Sequence, residues 1–369
     1  MAFIPLVGPI FRMAMRGVSI VVWSVMIISA YGGRCNPEYL TLPSVLCLAL
    51  PYLAILSLLL ILFWILSKKI IFSALGVLAI IACIQPISQA MPLNSSKEAS
   101  EGSRKFKIIS WNVLHTNDIR HPEAKSNRAA KYMLQSGADI ICLAEMNNFS
   151  PSELKNASAA LIDSLEKAYP YRAGLASNDI KVMSKYPVVR SDLYGTAGFS
   201  DRRFECFKVS MPGHELNVIM THLYSYDLSE EERQVVTEIK SVESAKSSVK
   251  EFKGSILSKM RNAFRQRAVN AKALREAIDN IKGPLIVCGD FNDVPNSWAY
   301  SLIKGDDLRD AYVETNFGPT YTYNLHMFYF HIDQMLYRGP LKALSLKVGK
   351  INTSDHYPLI GVFEFTDRE

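Results

Sequence analysis

For its first ninety residues the chain has almost no polar interruption. Gly17 to Gly33, Tyr39 to Ser67 and Ile70 to about Gln89 are each free of charged side chains. Each is close to the length at which a helix crosses hydrocarbon, so the pattern predicts three transmembrane helices. The first is the shortest and has a signal peptide as its rival, because Arg12 and Arg16 precede it and Ser29-Ala30-Tyr31-Gly32-Gly33 ends it. The two further spans argue against simple secretion.

From Lys105 the texture changes to short β-rich runs alternating with helical periodicity, the rhythm of an α/β domain. Strands are expected at Phe106 to Trp111, Asp139 to Ala144, Ile180 to Met183, Phe204 to Val209, Leu216 to Met220, Leu285 to Cys288, Ile332 to Tyr337 and Leu359 to Phe365. Gly137 closes one helix, and Ser150-Pro151-Ser152-Glu153 is a capping box that opens another toward Tyr169. Between Leu228 and Ile281, Val249, Phe252, Ile256, Met260 and Phe264 recur at helical spacing, which predicts a long amphipathic helix. The expected organisation is a membrane region over residues 1–90, a polar tether over 91–104 and an α/β domain over 105–369.

Charge refines this division. Residues 1–96 hold only Arg12, Arg16, Arg34, Glu38, Lys68 and Lys69 as charges, and the chain after Ser103 has 35 basic against 32 acidic residues. A global basic-protein case for nucleic acid therefore fails. Arg12 and Arg16, with Lys68 and Lys69 between the second and third spans, favour the cytoplasm, so three crossings put the α/β domain in the periplasm or outside the cell. If the first span is not a span, the orientation inverts. None of the six cysteines forms a CxxC; Cys142, Cys206 and Cys288 sit in apolar runs and read as buried strand thiols.

Several apolar runs end on polar residues: Asn112, Glu145, His222, and Asp290 with Asn292; Asp355 and His356 stand before the last strand. Ligand sites of α/β sheets favour such strand ends. Strand alternation would put Asp290 and Asn292 on one side and Phe291 on the other, and with Glu145 they would supply the oxygen ligands that Mg²⁺ requires. His356, oriented by Asp333 or Asp355, is a candidate acid–base group. Taken singly, each has a bland alternative: a salt-bridged rim carboxylate, a turn cap or a core histidine.

Together these segments resemble the endonuclease/exonuclease/phosphatase superfamily, which includes apurinic endonucleases, pancreatic-type deoxyribonucleases, neutral sphingomyelinases and inositol polyphosphate 5-phosphatases. The matching blocks are Ser110-Trp-Asn-Val, Ala144-Glu145, Thr221-His-Leu, Gly289-Asp-Phe-Asn, Ile332-Asp333 and Ser354-Asp-His, in the family's order between Arg104 and Phe365. The resemblance implies a four-layer α/β/β/α sandwich of two mixed, mostly antiparallel sheets. It implies Glu145, Asn112 and Asp355 around Mg²⁺, with Mn²⁺ as a substitute, and Asp290 and Asn292 positioning water and phosphate. It also implies Asp333 orienting His356, with the base left open between His356 and Asp290, and His222 donating to a phosphate oxygen. One departure is His331, where many relatives carry arginine.

Nine basic residues from Lys246 to Arg275 make a locally basic helix. It suits a nucleic-acid backbone, anionic lipid headgroups, or simply solvent. The expectation is a membrane-anchored, Mg²⁺-dependent phosphodiester hydrolase with nucleic acid as the favoured substrate. A phospholipid or other phosphoester is the alternative, and an inactive binding protein is the remote one.

Overall fold

The structure is a computed structural model and describes residues 8–147, 154–175, 177–191, 203–226, 245–325 and 329–366, with the backbone alone over 245–255. Five helices come first: α1 (Pro9–Tyr31), α2 (Leu42–Cys47), α3 (Leu50–Leu66), α4 (Ile70–Ala82) and α5 (Ile84–Ala90). At 1.5 Å per residue α1 is about 35 Å long, enough to cross a bilayer core of about 30 Å. It is the one continuous described helix long and apolar enough to do so.

The expected second span is broken at residues 48–49, and α3 restarts with Pro51 at its N-terminal turn. The third bends by 66° between α4 and α5. Pro86 explains the bend, since it lacks an N–H and its ring clashes with the carbonyl of residue 82. The Ala82 carbonyl accepts the Tyr31 hydroxyl instead. The first segment is longer than its uncharged stretch because the helix continues outward through Arg16, whose guanidinium lies 5.4 Å from the centre of the Phe72 ring. Trp64 Nε1 donates to Ser19 Oγ, Phe11 meets Phe63, and Ser57 reaches Met26, so α1 and α3 run antiparallel.

The remainder is two six-stranded sheets. The first contains β1 (Lys105–Asn112), β2 (Ile140–Ala144), β3 (Tyr171–Ala173), β4 (Lys181–Ser184), β11 (Leu341–Val348) and β12 (Leu359–Phe365), in the order β11-β12-β1-β2-β4-β3. The second contains β5 (Val188–Arg190), β6 (Phe204–Met211), β7 (His214–His222), β8 (Leu285–Asp290), β9 (Arg309–Asp310) and β10 (Asp333–Arg338), in the order β5-β6-β7-β8-β10-β9. Among the described strands, only β1–β2 and β7–β8 pair in parallel. Alternate residues of both sheets, among them Ile108, Cys142, Val218, Cys288 and Met335, close one core between them. Helices α6 (Arg128–Gln135) and α7 (Ala159–Ala168) cover the first sheet, and α8 (Ala245–Asn280) covers the second. This is the four-layer arrangement expected from the resemblance.

All eight expected strands are present, as is Gly137, which follows α6 with a φ of 64°. The capping box at Ser150 to Glu153 lies outside the described residues. The helix toward Tyr169 starts later than expected, with Ser158 capping Leu161 N–H. The 94–103 segment is fastened to the domain: Lys97 pairs with Glu314 at 2.6 Å, and Ser100 and Ser103 donate to the buried Glu364.

The helical bundle meets the two-sheet domain at the loop after β8. Asn296 Nδ2 donates to Ser29 O at 3.2 Å, and Cys47 packs with Val294 and Ile332. A side chain at Gly33 would run into the Asn296 carbonyl.

Candidate active site

Strand register gathers the polar residues at one end of the two sheets. His222 pairs with Asp290 across β7–β8, Asp290 with Asp333 across β8–β10, and Asn112 with Ala144, the neighbour of Glu145, across β1–β2. Asn112 bridges the sheets: its Nδ2 donates to Glu145 Oε1 (2.9 Å) and Asp290 Oδ2 (3.2 Å). Glu145 sits at a positive φ of 52°, a costly conformation for a side-chain-bearing residue outside glycine and asparagine.

Two histidine–carboxylate pairs flank this bridge. His356 Nδ1 lies 2.8 Å from Asp333 Oδ2, and its Nε2 lies 3.5 Å from Asp290 Oδ2. Of the two orienters open from sequence, Asp333 therefore contacts the ring. Burial works to lower the His356 pKa, but the Asp333 and Asp290 carboxylates hold it well above the ordinary histidine range. His222 has the same design with a residue the sequence did not single out: its Nδ1 meets Asp179 Oδ2 at 2.7 Å, and its Nε2 is 3.6 Å from Glu145 Oε1. Against the opposing effect of burial, Asp179 with Asp290 and Glu145 raises its pKa. Asp290 is fully enclosed, and burial pushes its carboxyl up to about 6 despite the two histidines.

Asn292 reaches the site by a different geometry from the alternation expected. The strand ends at Asp290, and the chain turns with Asn292 at φ 51°. The Asn292 N–H donates to Asp290 Oδ1 at 2.7 Å, an Asx turn, while its Nδ2 donates to Leu223 O. Asp355 is buried and its carboxylate accepts from Ser354 Oγ; among the described residues it makes no hydrogen bond or ion pair to Glu145 or Asn112.

The donor set fits a hard divalent cation. The carboxylates of Glu145 and Asp290 converge on the Asn112 side-chain amide, whose Nδ2 faces them while its Oδ1 accepts the Leu114 N–H, and Asp333 Oδ1 is buried without a partner among the described residues. A single point also lies within ligand reach of Asp290, Asp333 and His356.

The basic helix is partly consumed by the fold. Arg267 is fully buried, pairs with Asp293 at 3.1 Å and donates to Asn292 O. Lys272 pairs with Glu38, and Arg275 with Asp279 and Asp307. His331 is buried as well, with neither ring nitrogen hydrogen-bonded among the described residues, and burial lowers its pKa to about 4.

A family model described as endonuclease/exonuclease/phosphatase family matches residues 109–356. A second, described as a domain of unknown function (DUF8431), matches residues 12–90. Among solved structures, the chain is similar to an endonuclease/exonuclease/phosphatase from Beutenbergia cavernae DSM 12333, at 20% identity, covering 71% of this chain and 72% of that one, with a TM-score of 0.46. It is also similar to truncated TDP2 from Caenorhabditis elegans (17% identity, 71% and 98% covered, TM-score 0.44) and to beta toxin from Staphylococcus aureus (16%, 69% and 99%, 0.41). Comparison with curated proteins gives no match.

Proposed function

The chain belongs to the endonuclease/exonuclease/phosphatase family, and on that premise we propose that it is a membrane-anchored, divalent-metal-dependent hydrolase of phosphoester bonds. The observation that carries this reading is the bridge from Asn112 to Glu145 and Asp290, flanked by the His356–Asp333 and His222–Asp179 pairs. Glu145 and Asn112 would hold Mg²⁺ or Mn²⁺, with Asp355 acting through its water shell. The cation supplies neutralisation of charge at phosphorus and at the departing oxygen.

The chain's own residues divide the remaining work. Asp290, ionised at neutral pH with a pKa of about 6, accepts a proton from the attacking water. The Asn292 N–H fixes one of its oxygens. His356, held well above the ordinary histidine range by its carboxylates, and His222, whose pKa its carboxylates raise, donate to phosphate oxygens as negative charge grows. This division favours Asp290 over His356 as the base.

Nucleic acid is the second reading, supported by the basic residues of α8. The ion pairs that occupy Arg267, Lys272 and Arg275 reduce that support. The full chain in detergent, given Mg²⁺ with bis(4-nitrophenyl) phosphate, plasmid DNA, RNA or phospholipid vesicles, tests the proposal. Metal-dependent hydrolysis should fall by about 10²-fold or more in Glu145→Ala and His356→Ala. Activity that survives Glu145→Ala, or no hydrolysis of any of these esters, would sink it.

A further inference from the structure

A cavity of about 280 Å³ lies where the helical bundle meets the catalytic domain. Pro51, Tyr52 and Ile55 of α3 form one wall, and Val294, Tyr321 and Phe330 of the catalytic domain form the other. The lining is mostly apolar and aromatic, and the volume is close to the lower limit of about 300 Å³ for sites that take a whole small ligand. It suits a segment of a larger molecule.

Two short stretches of chain connect the cavity to the catalytic cluster. Val294 directly follows Asp293 and lies four residues beyond Asp290. Thr320 and Tyr321 line the cavity, while next to them the Thr322 hydroxyl accepts the Asp333 N–H at 3.0 Å and the Tyr323 ring lies 5.1 Å from that of His356.

Three features say what belongs there. One wall is a helix of the apolar bundle, with Tyr52 and Ile55 both exposed. Tyr321 and Tyr329, packed edge to face at 4.9 Å, are also exposed at the cavity, and with Tyr52 they match the tyrosine enrichment of membrane–water interfaces. His331 also lines the cavity, only 6% exposed, and among the described residues neither ring nitrogen makes a close hydrogen bond, with only a weak interaction with the Asp333 backbone. A buried imidazole without a partner is costly, and the cavity is the open side from which a partner can come. Being neutral, it offers one donor and one acceptor, which suits an ester carbonyl or hydroxyl better than a phosphate.

We propose that this cavity seats the apolar chain of a membrane-borne phosphoester, with His331 hydrogen-bonded to the polar group that joins chain to head. The phosphate then reaches the cluster around Asp290. This names a substrate class for the hydrolase proposed above and rests on that reading.

The test uses the full chain in vesicles containing phosphatidylglycerol with a photoreactive diazirine in one acyl chain. Illumination should place adducts on peptides covering residues 294–296 and 319–331 as well as 47–55, and unlabelled phosphatidylglycerol should compete them away. Ile55→Trp, which fills the cavity, and His331→Leu, which removes its hydrogen bond, should each lower the catalytic-domain adducts by about tenfold. Adducts confined to residues 47–55, or catalytic-domain adducts that resist competition in the unmodified chain, would overturn the proposal. Hydrolysis of bis(4-nitrophenyl) phosphate, which has no chain to seat, is read on the same unmodified preparation. Its presence without catalytic-domain adducts would defeat the chain-binding cavity alone. Its absence, together with no hydrolysis of plasmid DNA, RNA or phospholipid but with competed adducts, would defeat the hydrolase reading and support the cavity.

Discussion

Glu145 holds its carboxylate at the site from a left-handed backbone, at a cost of about 1–2 kcal/mol for a residue with a Cβ. Relief of that strain should separate stability from function: Glu145→Gly is expected to raise the melting temperature while removing metal-dependent hydrolysis, and a lower melting temperature would refute the strain. The histidines give a second prediction at this scale. His356 and His222 both have folded pKa values above the unfolded value of about 6.5. Each binds its proton more tightly in the fold, so their stabilisation is complete below about pH 6.5 and is lost as pH rises through the folded values. Asp290, raised from 3.8 to about 6, acts with the same sign over that lower window. With chelator present, the melting temperature should fall as pH rises above about 6.5, and His356→Gln should flatten the fall; a rise with pH would contradict it.

At the scale of elements, α8 ties the helical layer to the site through one buried charge. Arg267 lies 4.3 Å from the centre of the Tyr226 ring and 4.5 Å from that of Phe264, and it faces Asp293, whose carboxyl burial pushes up to about 6. Arg267→Met leaves that carboxylate buried and unpaired, so a loss of about 3–5 kcal/mol is expected, with much of it recovered in the Arg267→Met, Asp293→Asn double variant. Denaturant unfolding of the parent, the double variant and the Arg267→Met and Asp293→Asn single variants measures the coupling, and additive losses would show that the pair is not a unit. Arg267 also marks where the sequence stopped being informative. A charge within a basic helical run reads the same whether it faces solvent or a carboxylate in the next layer. Asp179 was hidden for a similar reason, since it precedes β4 and its partner His222 is 43 residues away. By contrast, Asn112, Glu145, His222 and Asp290 were legible because each interrupts an apolar strand where it leaves the core. The edge strands β3, β5 and β9 have two or three residues each, too few for an alternation to register.

At the scale of the whole molecule, the bundle has two chemically different ends. Arg16 and Phe72 meet at one end, where Lys68 and Lys69 join α3 to α4. Ser29, Gly33 and Cys47 meet the catalytic domain at the other. If α1, α3 and the bent α4–α5 pair all cross the bilayer, the domain lies opposite the basic end, outside the cytoplasm by the positive-inside rule. The same crossing places Tyr52, Tyr321 and Tyr329 at the membrane surface, where a lipid chain could enter the cavity beside α3. A reporter fused after Glu369 should therefore be active only outside the cytoplasm, and replacing Arg12, Arg16, Lys68 and Lys69 with glutamine should divide it between the two sides. Reporter activity confined to the cytoplasm would mean either an even number of crossings or a bundle inverted with its basic end outside. The antiparallel contacts of α1 with α3, from Phe11–Phe63 to Ser57–Met26, weigh against a crossing that omits α1, because α1 would have to leave the bundle, and they are the same in an inverted one.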